Sequence, residues 1–106
     1  MYHFVLFTGL VKEYCQWETF NATCGPNEAV MMETARYGRM KLGRCLRQGF
    51  GVVGCAADTM EYADSQCSGR KSCLINVPDI PIQGIRPCSE ELSSYMEASY
   101  SCVPGI

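Results

Sequence analysis

The chain has 106 residues, nine basic and eleven acidic side chains, and a net charge of −2. At that size it is one domain, 1–106, with a modest core. Its near-balanced charge argues against a nucleic-acid binder, which needs a net basic surface, and no stretch approaches the roughly 18 apolar residues that span a bilayer, so the domain itself should make no membrane contact.

Along the chain, Phe4–Phe7 and Leu10–Tyr14 read as strands meeting at Thr8-Gly9. The apolar run Met1–Leu10 lacks a basic leader segment and a cleavage site, so it reads as a first strand rather than a signal peptide. Trp17 lies in a polar context two residues after Cys15, and suits either the core or an exposed interface anchor. Asn21-Ala22-Thr23 is an N-glycosylation sequon. Glu28–Glu33 reads as a strand, followed by a turn through Tyr37-Gly38-Arg39 and a second break at Gly43. Asp58 as N-cap, with Glu61 in the first turn, opens a helix over Asp58–Gln66. Ala56, Met60, Ala63 and Cys67 recur at helical spacing, and Ser68-Gly69 ends the element. Cys73–Val77 reads as a strand, and Pro78, Pro81, Gly84 and Pro87 make the next stretch irregular. Met96, Ala98, Tyr100 and Cys102 alternate with polar residues as a half-buried last strand. Many strands with one main helix make a β-rich α+β domain.

Eight cysteines are an even set, with gaps of 9, 21, 10, 12, 6, 15 and 14 residues. Structural zinc favours Cys pairs two to four residues apart with matching partners, whereas here the closest pair is Cys67 and Cys73 and the one histidine is His3. No metal and no cofactor are expected. A reduced cytosolic protein rarely carries so many thiols, so the chain reads as an extracellular module with four disulfides. Spacing alone leaves on the order of a hundred pairings open.

Gly49-Phe50-Gly51-Val52-Val53-Gly54 matches the letters of a dinucleotide fingerprint without its flanking strand, helix or distal acid, and reads as a loop. A Ser-His-Asp set would have to recruit His3, and Glu90-Glu91 are adjacent carboxylates on a charged turn. No catalytic constellation stands out, and an enzyme is not expected. Arg36, Arg39, Lys41, Arg44 and Arg47, with Tyr37 among them, form a basic cluster in sequence. Such a cluster suits an acidic protein face, a sulfated glycan such as heparan sulfate, a sugar ring, or simply a solvated surface.

Ala35-Arg36-Tyr37-Gly38-Arg39 resembles the A-x-Y-G-R signature of the rhamnose-binding (SUEL-type, galactose-binding) lectin domain. The cysteine order is similar, including Cys67 and Cys73; Pro87-Cys88 resembles the D-P-C element, Ser94-Tyr95-Met96 falls where the family carries K-Y-L, and Tyr100-Ser101-Cys102 resembles its closing Y-x-C. The resemblance runs from Gly9 to Cys102, the expected core of the domain. Gly9-Leu10-Val11-Lys12-Glu13-Tyr14-Cys15 is also similar to the opening of this domain in latrophilin adhesion receptors. The resemblance implies a disulfide-bonded β-sandwich with one main helix and the pairs Cys15–Cys45, Cys24–Cys102, Cys55–Cys88 and Cys67–Cys73.

It also implies a sugar site whose usual residues have changed here. The acidic residue that follows the first cysteine in sugar-binding members is Gln16, and Trp17 stands where Gly is preferred. The lysine of K-Y-L is Ser94, the aspartate of D-P-C is Arg86, and Tyr37, Gly38 and Arg39 persist. Gln16 accepts through only one amide oxygen and Ser94 is too short to replace an ammonium. Two readings follow. The first is an extracellular recognition module of a cell-surface adhesion or guidance receptor, contacting a protein ligand or receptor ectodomain through Trp17, Arg36, Tyr37, Arg39 and Arg86. The alternative is a lectin for rhamnose, galactose or an acidic glycan, centred on Gln16, Glu18, Tyr37, Gly38 and Ser94.

Overall fold

A computed structural model describes residues 9–47 and 53–105. The expected strand Phe4–Phe7, His3 and most of the Gly49–Gly54 motif lie outside the described residues. The described chain forms six strands and one α-helix: β1 (Lys12–Tyr14), β2 (Thr19–Thr23), β3 (Glu28–Gly38), β4 (Ala56–Asp58), α1 (Met60–Cys67), β5 (Ser72–Asn76) and β6 (Tyr95–Pro104). Two 3-10 turns, Val77–Asp79 and Pro81–Gln83, occupy the proline-rich stretch. The strands form an antiparallel sheet in the order β1-β6-β3-β4 and a two-stranded sheet of β2 and β5. The domain is thus a small, β-rich, disulfide-bonded α+β fold.

β3 is longer than its apolar run suggests, and it carries the turn expected at Tyr37-Gly38-Arg39 on past Tyr37 as strand to Gly38. Its pairing with β6 shifts register between Met32 and Thr34, leaving Glu33 as a bulge. A strand alternates faces with period two, so one extra residue exchanges the inner and outer sets. Val30 and Met32 face the core before the bulge, and Ala35 and Tyr37 face it afterwards. Glu33 itself is buried, and its Oε1 accepts the Gly9 N–H at 3.1 Å.

The helix begins two residues later than its sequence signals suggest. Ala56–Asp58 pairs with the end of β3 as β4, because Gly38, Tyr37 and Arg36 offer it a ladder. Asp58 nevertheless serves the helix, its Oδ1 accepting the Met60 N–H at 2.8 Å. Ala63 and Cys67 of α1 are buried against the core, while Ala56 belongs to the strand.

Both sheets and the helix close one core. Phe20 and Ala22 of β2 and Ile75 of β5 meet Met96 and Ala98 of β6, with Phe20 packed edge-on between Tyr14 and Tyr100 at ring centroid distances of 5.1 and 5.8 Å. β2 has a clean two-residue alternation, with Thr19, Asn21 and Thr23 exposed. The four disulfides are Cys15–Cys45, Cys24–Cys102, Cys55–Cys88 and Cys67–Cys73. Cys24–Cys102 ties the end of β2 to β6, and hence one sheet to the other. Four disulfides mark a domain that folds in an oxidising compartment, as secreted and extracellular domains do. No described helix is long and apolar enough to cross a membrane.

Candidate functional site

A cleft of about 320 Å³ opens where the turn after β1, the end of β3 and the segment leading into β6 converge. It brings together Gln16, Tyr37, Arg86 and Ser94, four residues separated in sequence by up to 78 positions. Tyr37 reaches it because the Glu33 bulge has turned that side chain inward. Ser94 reaches it because it is buried immediately ahead of β6, whose Met96 pairs with Tyr37. Burial raises the Tyr37 phenol above its ordinary pKa, with the Ser94 side chain acting in the opposite direction. The phenol is therefore a neutral hydrogen-bonding group at neutral pH.

Arg86 lies along one wall. Its Nε donates to the Pro81 carbonyl at 3.0 Å and its Nη1 to Glu90 Oε1 at 2.6 Å. Pro81 and Glu90 line the cleft too, as do Cys88, Ser89 and Leu92. Of these, Cys88 belongs to the Pro87-Cys88 element, Pro81 to the irregular proline stretch and Glu90 to the adjacent carboxylate pair, whereas nothing in the sequence marks Ser89 or Leu92.

Beside the cleft, Cys15–Glu18 forms a tight turn with Trp17 at its tip. The Glu18 N–H donates to the Cys15 carbonyl at 2.9 Å, and the Cys15 N–H donates back to Glu18 Oε1 at 2.6 Å. Arg44 then grips the same carboxylate with both arms, Nη1 to Oε2 at 2.9 Å and Nη2 to Oε1 at 2.8 Å. Next to Arg44 the Cys15–Cys45 disulfide pins the turn, and the Glu18 carbonyl accepts the Val77 N–H at 3.0 Å. The Arg44 hydrogen bonds, aided by that of the Cys15 N–H, pull the Glu18 carboxyl down to a pKa of about 2. Trp17, by contrast, is 79% exposed and so is not core. Ile82, which follows Pro81 of the cleft wall, is 71% exposed.

The remaining candidates lie elsewhere. Glu18 is engaged by Arg44 and does not line the cleft. Arg36 is exposed on the face of β3 opposite Tyr37, between its register partners Glu97 and Asp58. Arg39 is 3% exposed, and its guanidinium donates to the Ser93 carbonyl, holding the segment that presents Ser94. Gly38 contributes backbone: it has φ +149°, and a Cβ there would lie 2.3 Å from the Cys55 carbonyl oxygen. The basic cluster is therefore dispersed, since Arg39 is buried, Arg44 is paired and Arg36 faces away from the cleft. Among the described residues Cys15, Glu18 and Cys45 cluster closely, but both sulfurs belong to one disulfide and the carboxylate to Arg44.

The site offers hydrogen-bonding groups, a charged pair and a braced aromatic, a set suited to recognition. Compared with known proteins, the chain matches no protein-family model and no curated protein.

Proposed function

We propose that this chain is an extracellular recognition module of a cell-surface adhesion or guidance receptor, with a rhamnose-binding-lectin-like β-sandwich as its scaffold, and that it binds a protein ligand through Trp17 and the adjoining cleft. The observation that carries this reading is the braced turn under an exposed tryptophan. Tryptophan is among the strongest interface anchors, and an anchor held rigid before binding loses little entropy on docking. Ile82 adds apolar area at the cleft edge, and the Arg86–Glu90 pair supplies the polar rim that orients a partner.

One observation favours the second reading, a lectin: Gln16, Tyr37 and Ser94 share one cleft. Against it, the cleft-lining carboxylate, Glu90, is held by Arg86, and Gln16 and Ser94 are weaker hydrogen-bonding partners for a sugar than a free carboxylate and an ammonium. Losing two charge-assisted bonds at roughly 1.5–3 kcal/mol each removes a millimolar interaction.

Amide NMR of the labelled domain titrated with L-rhamnose and D-galactose separates the two. The expected result is no saturable shift up to roughly tens of millimolar; saturable shifts at Gln16, Tyr37 and Ser94 would put the lectin reading first. In parallel, the tetramerised domain is screened against cell-displayed ectodomains, with Trp17→Ala as control. A genuine partner should lose about 30-fold in affinity with Trp17→Ala, the effect of a 2 kcal/mol anchor. Binding that survives Trp17→Ala, or vanishes on heparinase treatment of the cells, would overturn the proposal.

A further inference from the structure

The outer face of the β2–β5 sheet carries a second site, independent of the cleft. Alternation turns Phe20, Ala22 and Ile75 inward and leaves Thr19, Asn21, Thr23, Ser72, Leu74 and Asn76 outside. Five of those six outer residues are polar. The exception is Leu74, 62% exposed, and its register partner across the ladder is Asn21 of the Asn21-Ala22-Thr23 sequon. Directly opposed residues in an antiparallel pair have Cβ atoms about 5 Å apart, so whatever is attached to Asn21 begins beside the leucine. The Thr23 hydroxyl donates to Asn21 Oδ1 at 3.2 Å, and Asn21 is exposed to solvent. Asn21 also stands between two concavities, one shared with Tyr14 and Tyr100, the other with Ser72 and Leu74.

We propose that Asn21 carries an N-linked glycan whose first N-acetylglucosamine packs on Leu74 and covers this face. In the attachment step the Asn21 amide nitrogen bonds to C1 of a lipid-pyrophosphate-linked oligosaccharide. The C1–oxygen bond breaks, the lipid pyrophosphate leaves with the electron pair, the amide loses one proton, and nothing is oxidised or reduced. The donor and its transferase belong to the compartment in which four disulfides form. An exposed outer strand face is a suitable acceptor, because the finished fold accommodates the sugar without moving the core. The acetyl methyl and the apolar face of the sugar ring then remove Leu74 from water.

The test expresses the full chain behind a secretion signal in cultured animal cells, with occupancy read in both medium and whole-cell extract. A single mobility step removed by peptide N-glycosidase is expected; Asn21→Gln and Thr23→Ala should abolish it, and Thr23→Ser should keep it. Disulfide-bonded chain without that step would overturn the site. For the seating, the glycan is trimmed to one N-acetylglucosamine, and nuclear Overhauser contacts are expected between its protons and the Leu74 methyls. An occupied Asn21 whose sugar shows no such contact would overturn the packing on Leu74 while leaving the modification. Neither outcome bears on the Trp17 turn.

Discussion

At the residue scale, Glu18 and Trp17 divide the labour of one turn: the first is consumed in holding it, the second is what it presents. The Glu18 carboxyl sits at about 2, below its unperturbed 4.5, because Arg44 and the Cys15 N–H bind the charged form. A carboxyl lowered in the folded state stabilises the fold fully above the unfolded value, and that contribution is lost as pH falls from about 4.5 toward 2. The pair is solvent-exposed, so the change in stability is small and screened by salt. The sharper measurement is carbon-detected titration of the Glu18 carboxyl. We expect a midpoint near 2 in the native chain and a return toward the ordinary carboxylate range in Arg44→Ala. A native midpoint near 4.5 would mean the clamp does not form in solution. Trp17→Ala should leave the melting temperature unchanged, within about a degree, since a side chain 79% exposed contributes almost nothing to the core.

Among the elements, β3 decides the site. One bulge at Glu33 exchanges its faces, and without it Arg36 would point inward and Tyr37 outward. At its far end Gly38 lets β4 approach closely. Its φ of +149° and the 2.3 Å that a Cβ would leave to the Cys55 carbonyl both exclude a side chain. Gly38→Ala should therefore destabilise the domain by about 3 kcal/mol, combining backbone strain with a clash against main chain. Guanidinium unfolding measures this, and a loss below about 0.5 kcal/mol would show that β4 can move away without penalty.

For the whole molecule, the cross-links matter in proportion to the loops they close. Cys24–Cys102 spans 78 residues and Cys67–Cys73 spans 6. In the chain-entropy account these contribute about 4.5 and about 2 kcal/mol. The long one also joins the two sheets, so its loss leaves β2 and β5 held to β6 by non-covalent packing. Replacing both Cys24 and Cys102 by Ser should block secretion, or lower stability far more than the same change at Cys67 and Cys73. Secretion yield and the unfolding midpoint of the two double variants compare them directly. Equal effects would mean that core packing, not cross-linking, holds the sheets together.

Local pattern and composition determined a good deal. The cysteine count pointed to an oxidised domain, and two-residue alternation marked the last strand, although its expected polar face is not solvated, Ser99 and Ser101 being 3% and 8% exposed because β6 lies between β1 and β3. Asp58, Glu61, Ala63 and Cys67 marked the helix to within two residues at its start. Three features needed the tertiary structure. β4 is three residues long and exists only because β3 offers it a ladder, so no local periodicity could mark it. The Glu33 bulge depends on pairing with β6, and the faces of Arg36 and Tyr37 depend on that bulge. The convergence of Gln16, Tyr37, Arg86 and Ser94 on one cleft depends on the turn after β1, the end of β3 and the segment before β6 meeting in space, which no spacing in the chain marks. That Glu18 and Arg39 serve as braces, while Trp17 stands in water, was decided only when Arg44, Ser93 and Cys45 were brought to them. Charge and aromaticity are properties of a residue, but whether they are spent inside the fold or offered outside it depends on neighbours that are distant in sequence.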